Sequence, residues 1–171
     1  MSEKSNPSQL NDLFIGRQPI FDRDLKVIGY ELLYRSKKAE VAIFDDGDQA
    51  TSRVLTNAFL EIGIDRLVGK NLAFINFTRN FLTTEIPLPI PPERVILEVL
   101  ETIDIDQELI KSLENLQKQG FQFALDDVVS PEKNAHVINR MKIIKIDIQS
   151  IPISKLAEHV RYTQSYCLQR R

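Results

Sequence analysis

From residue 72 to residue 148 the sequence alternates short aliphatic runs with segments of helical period, and this alternation restricts the fold more than any other feature. The runs are 72–77, Val95–Leu100, 121–125 and 142–148. Nearly unbroken Val, Ile, Leu and Phe marks strands buried on both faces, as in parallel sheets. Between them, residues 106–119 place Leu109, Ile110, Leu113 and Leu116 on one helical face, with Gly120 as the stop. Ser130-Pro131-Glu132 opens a further helix, to about Met141, with a cap, a proline at the first position and an acid in the first turn. A proline-rich connection holding Pro87, Pro89, Pro91 and Pro92 precedes the second run and is extended rather than helical. Strands joined by helical crossovers form a parallel sheet with right-handed connections.

The remaining segments fit around that core. Residues 1–12 are polar and read as a loose N-terminal tail. Residues 13–21 and 26–35 are two β-rich segments around Asp22-Arg23-Asp24, a hairpin pattern. Residues 49–62 form a helix with Val54, Leu55, Ala58, Phe59 and Ile62 on one face, Asp48 as its cap and Gly63 as its stop. Asp45, Asp46 and Asp48 lack the spacing of a calcium loop and read as a cap and solvated turn. Residues 154–166 are helical in pattern, and 169–171 carry no stop signal.

The acids and amides in the apolar runs carry the chemistry. Residues 94–102 hold two carboxylates, Glu98 and Glu101, in an otherwise apolar strand. A buried carboxylate is costly unless a metal, a cation or a hydrogen-bond network meets it. Asn76, Glu98, Asp126, Asp127 and Lys145 all fall at or near the C-terminal ends of their strands, the edge where chemistry gathers in such sheets. Asn with carboxylates is an all-oxygen set suited to Mg²⁺, Mn²⁺ or Ca²⁺, and a lysine beside it can orient a water or meet a phosphate. A buried ion-pair network, Lys145 with Asp126 or Glu98, is the other reading of the same residues, and the pattern does not choose between them.

Composition narrows the class. The 171 residues are 43% hydrophobic and 27% charged with a net charge of −2, which suits a folded domain and argues against partners held by bulk charge, such as nucleic acid or a membrane surface. No run is long enough to span a bilayer and no basic start precedes an apolar stretch. The single cysteine, Cys167, rules out an internal disulfide and points to a reducing, cytoplasmic setting. His136 and His159 read as surface or packing residues.

These motifs resemble the EAL domain, the bacterial cyclic di-GMP phosphodiesterase domain, and within it the EAL–HDOD branch. The branch resemblance rests on the stretch 14–36, with Phe-Ile-Gly-Arg-Gln-Pro-Ile-Phe-Asp and then Gly-Tyr-Glu-Leu-Leu-Tyr-Arg-Ser. The resemblance implies a (β/α)₈ barrel with an antiparallel first strand. It implies that Glu31, Asn76, Glu98, Asp126 and Asp127 are metal ligands for Mg²⁺ or Mn²⁺. It implies that Lys145 positions the attacking water, that Arg35 contacts the dinucleotide and that Glu101 steadies the loop after a later strand.

The sequence also departs from the family. The signature alanine is Leu32, the Trp after the arginine is Ser36, and the Phe-Gly after the Asp pair is Val128-Val129. The interval between Glu31 and Asn76 is short. Nothing after Lys145 matches the later glutamate and glutamine motifs, and barrels of this type need about 200 residues or more. The expectation is therefore residues 13–171 as a partial EAL-like barrel without an HDOD domain. It would act as a degenerate, non-catalytic module by binding a partner protein or cyclic di-GMP, with a homodimer or partner covering its open strand edges. The alternative is a metal-dependent cyclic di-GMP phosphodiesterase that cuts one phosphodiester bond.

Overall fold

The structure, a computed structural model, describes residues 14–35, 47–84, 88 and 90–168. The expected tail 1–12, the stretch 36–46 with Ser36, Asp45 and Asp46, Pro87, Pro89 and residues 169–171 lie outside the described residues, as do the side chains of Arg35 and Cys167. Six strands form one sheet in sequence order: β1 (Phe14–Phe21), β2 (Val27–Arg35), β3 (Leu72–Asn76), β4 (Val95–Leu100), β5 (Gln122–Val128) and β6 (Ile143–Ile146). β1 pairs antiparallel with β2, and every later pair is parallel. This is the parallel sheet that the strand–helix alternation implied, with the hairpin at its start, and it is half of the barrel that the resemblance implied.

Helices fill the crossovers: α1 (Gly47–Leu55), α2 (Ile64–Val68), α3 (Arg79–Thr83), α4 (Gln107–Lys118), α5 (Ala135–Ile138) and α6 (Ile153–Leu168). α4 ends where its caps dictate. The Asp106 carboxylate accepts the Leu109 N–H at 2.9 Å, and Gly120 leaves the helix at φ +97°, a left-handed backbone that glycine adopts without strain. Two expectations need correction, and two short helices were not foreseen. The helix after α1 does not stay α-helical, because Thr56–Glu61 form a π-turn in which the Ile62 N–H reaches back to the Asn57 carbonyl. The helix after Ser130 is a 3₁₀ turn (Pro131–Asn134) followed by the single turn α5, and the Ser130 side chain makes no cap bond. α2 and α3 were not expected, since five residues are too few to show a 3.6-residue period.

Strand parity sorts the apolar residues into two clusters. Ala73, Ile75, Val95, Leu97, Val99, Phe123 and Leu125 face the helices and join Leu109, Leu113, Val54 and Ala58 in the main core. Phe74, Ile96 and Ala124 face the concave side and form a small second cluster with Ile20, Leu72 and Ile143. Gly29 of β2 leaves room for that floor. A Cβ there would sit 2.4 Å from the Phe74 ring and 2.9 Å from the Leu72 carbonyl oxygen. Side chains alternate along a strand, so the residue two positions after each floor residue also faces the concave side. Those residues are Glu31 after Gly29, Asn76 after Phe74, Glu98 after Ile96, Asp126 after Ala124 and Lys145 after Ile143.

Candidate metal centre

One polar layer therefore lies on top of one apolar layer, and it brings together five of the expected site residues. The Lys145 ammonium lies 3.0 Å from Glu31 Oε2, 2.7 Å from Glu98 Oε1 and 2.8 Å from Asp126 Oδ2. Oxygens of these three carboxylates come within 4.8 Å of one another, close enough to share a metal ion. Asn76 joins through its Nδ2, which donates to Glu31 Oε1 at 3.1 Å. The rim encloses a cleft of about 620 Å³ lined by Gln18, Glu31, Asn76, Asp126, Asp127 and Lys145, among others. Glu98 lies beneath it with no exposed surface.

The ion-pair network is present, yet it does not use every acceptor. Asn76 Oδ1 and Glu98 Oε2 are buried with no hydrogen-bond partner. An unpaired buried oxygen is expensive, and two of them beside three clustered carboxylates are the arrangement a hard cation would satisfy. The residues present thus fit an Mg²⁺- or Mn²⁺-type ion.

Three carboxylates share one cation in a poorly solvated place, and the protonation of the layer follows. Burial pushes Glu98 up to about 8, with Lys145 opposing and the Glu31 and Asp126 charges adding to the rise. Burial also opposes the charge on Lys145, but Glu98, Asp126 and Glu31 together hold it above its ordinary range, so it stays an ammonium.

Asp127 reaches the cleft by a different route. The β5–β6 register shifts between Leu125 and Val128, and Asp127 sits at φ +54°, a left-handed conformation that Asp tolerates better than most residues. The extra residue keeps Val128 in the main core while two successive aspartates line the cleft. Asp127 is exposed as a residue, and partial desolvation of its carboxyl at the cleft, with the Asp126 charge adding to it, raises its pKa.

Glu101 stands outside the metal cluster. Its carboxylate accepts the backbone N–H groups of Val129 at 2.7 Å and Ser130 at 2.9 Å, and the Asn134 side-chain amide at 3.1 Å. Its own N–H donates to the Asp126 carbonyl at 3.0 Å. Arg35 ends β2 opposite Phe14, and its side chain is outside those described. Sequence reasoning missed Gln18, which pairs with Glu31 in the hairpin register and so reaches the cleft. Counting across the turn from Phe21↔Val27 would have set Tyr30 opposite Gln18, because the register shifts by one residue between Ile20 and Phe21. It also missed Asp147 and Gln149 on the rim and Thr51 behind Asn76.

No family model matches the chain. The uncharacterized protein YuxH of Bacillus subtilis is 38% identical over 140 residues, covering 79% of this chain and 34% of its own length. The cyclic di-GMP phosphodiesterase CdgJ of Vibrio cholerae is 33% identical over 149 residues, covering 86% and 34%. The chain thus spans about a third of the curated relatives it matches. Among solved structures, Bacillus subtilis YkuI, which has an EAL domain and was crystallised with its substrate c-di-GMP and calcium, superposes with a TM-score of 0.68 at 24% identity, over 95% of this chain and 47% of that one. Klebsiella pneumoniae BlrP1 in its manganese and c-di-GMP complex gives 0.66 at 22% identity, over 94% and 49%. An antiparallel first strand, four parallel pairings in sequence order and this superposition together make the fold of this chain that of the EAL-domain proteins.

Proposed function

We propose that this chain is a cyclic di-GMP signalling module that binds a divalent cation and the dinucleotide at the C-terminal rim of its sheet, and that its output is binding rather than cutting. The observation that carries this reading is the pair of buried, unpartnered oxygens, Asn76 Oδ1 and Glu98 Oε2, beside the Glu31, Glu98 and Asp126 carboxylates. Glu31, Asn76, Glu98 and Asp126 would hold the ion, with Asp127 at the edge of the site. A bound Mg²⁺ or Mn²⁺ would supply the positive charge that a phosphodiester needs in an otherwise acidic cleft. Lys145 adds a fixed ammonium for a phosphate oxygen or a water, Arg35 is the candidate contact to the dinucleotide, and Glu101 holds the loop that borders Asp127. Two-metal phosphodiester cleavage needs a second ion position, and among the described residues one carboxylate cluster of that kind is present.

The same lysine favours the second reading, metal-dependent hydrolysis of one phosphodiester bond, because it is placed to orient a water among the ligands. No helix among the described residues is long and apolar enough to cross a membrane. A cytoplasmic setting fits the single cysteine, and the outer strands β1 and β6 offer edges for a second copy or another protein to cover.

Calorimetric titration with cyclic di-GMP in Mn²⁺ separates the readings when the same samples are checked for linear dinucleotide. Expected is Mn²⁺-dependent binding with no product. Product that disappears in Glu31→Ala establishes the hydrolytic reading, and absence of heat with either ligand removes both.

A further inference from the structure

Asn76 is the last residue of β3, and its amide must be aimed by backbone that is leaving the sheet. The pairing of β2 with β3 ends at Leu32↔Ile75, one residue short of Asn76. On the other side the Phe77 N–H still donates to the Glu98 carbonyl at 2.9 Å. The peptide between Asn76 and Phe77 is therefore gripped by the sheet at its N–H end. At its carbonyl end the partner comes from α1: the Thr51 hydroxyl donates to the Asn76 carbonyl oxygen at 2.9 Å. Thr51 is 4% exposed, so its hydroxyl is largely shielded from solvent.

The same helix turn holds the next residues. The Asp48 carboxylate accepts from the Thr78 hydroxyl and, at 2.6 Å, from the Asn80 side-chain amide. These two bonds keep the Asp48 carboxyl below its usual range, so it stays charged. Thr78 in turn caps α3 by accepting the Phe81 N–H. Gly47, at the start of α1, lies against Thr78, whose methyl would be 3.0 Å from a Cβ at that position.

From this we infer that the first turn of α1, through Thr51 with Asp48 in support, is a positioning element that fixes the backbone of Asn76 so that its orphaned Oδ1 faces the ion site. The inference rests on the cation-binding reading given above. Neither residue touches the ion, and both act through Asn76. Thr51→Val keeps the shape and removes the hydroxyl, whereas Thr51→Ser keeps the hydroxyl.

The test is Mn²⁺ titration of the full chain by calorimetry, with thermal melts of each variant. Leu116→Ala, in α4 away from the site, serves as a variant destabilised by packing alone. Thr51→Val should weaken Mn²⁺ binding about tenfold, the lower end of what loss of an orienting partner costs a metal site. Thr51→Ser should bind close to the parent, and Leu116→Ala should bind like the parent despite its lower melting temperature. If Thr51→Val fails to fold, Asp48→Ala takes its place, with weakened binding again expected. Parent-like Mn²⁺ affinity in Thr51→Val, or a loss no larger than that in Leu116→Ala, overturns the positioning role and leaves the ion site standing. A parent chain that binds no Mn²⁺ overturns the ion site itself, and the two failures are thereby distinguished.

Discussion

At the scale of single residues, Lys145 decides how the metal-free site survives. It is the cation that three carboxylates share, at 2.7 to 3.0 Å. Lys145→Met removes it and leaves Glu31, Glu98 and Asp126 facing one another. The expected loss is about 3 kcal/mol, the low end for breaking a buried pair, because the lysine keeps 27% of its side-chain exposure. Added Mn²⁺ should recover most of that loss in a thermal melt, since an ion can replace the ammonium. A variant no less stable than the parent in chelator would show that the carboxylates are not strained against each other. Glu98 supplies a pH signature. Its folded pKa of about 8 lies above the ordinary 4.5, so between those values the folded state holds a proton that the unfolded state has lost. Metal-free stability should therefore fall as pH rises from about 5 to about 8. Lys145, also raised, contributes stability that is complete below its ordinary 10.5 and does not alter this slope. Glu98→Gln should flatten the profile, and a parent melting temperature flat across that range would count against the shift.

At the scale of elements, the site depends on what lies beneath it. Glu31 is placed by a strand whose residue two positions earlier has no side chain, and Phe74 occupies that space. Gly29→Ala forces the methyl against a ring and a backbone carbonyl, and only the ring can move. The expected cost is about 1–3 kcal/mol, as for other overpacked cores, with β2 displaced enough to weaken Mn²⁺ binding as well. Chemical denaturation and calorimetry on one sample would check both effects, and unchanged stability would show that the floor is looser than the 2.4 Å approach implies. The β5 bulge is the other elemental device. It spends one residue, Asp127, in a left-handed conformation so that Asp126 and Asp127 both line the cleft without moving Val128 from the core. Glu101 completes that turn by binding two successive N–H groups, of Val129 and Ser130, that the departing chain leaves without strand partners.

At the scale of the whole molecule, much of the architecture was legible in the chain. Aliphatic runs buried on both faces demand helices on one side, so the strands, their parallel order, α4 and the hairpin follow from periodicity. Val95–Leu100 and the Gly120 stop of α4 are found where the sequence places them, because local signals agree there with the tertiary contacts. The common edge holding Asn76, Glu98, Asp126, Asp127 and Lys145 was legible from the run order, but the strand ends were not all so, since β5 runs on through Asp126 and Asp127 to Val128 and β6 stops at Ile146. Five-residue helices and the π-turn were not legible, since a single turn leaves no period and packing alone stabilises it. Sequence could not choose between an ion-pair network and a cation site, because both need the same residue types. That choice depends on which oxygens are left unpaired, a matter of angstroms between side chains up to 114 residues apart. The chain by itself determined a parallel sheet, opened by a hairpin, with acids at one edge. Only the tertiary structure decided that Lys145 satisfies three carboxylates and still leaves Asn76 Oδ1 and Glu98 Oε2 unpaired, because register and parity set those distances.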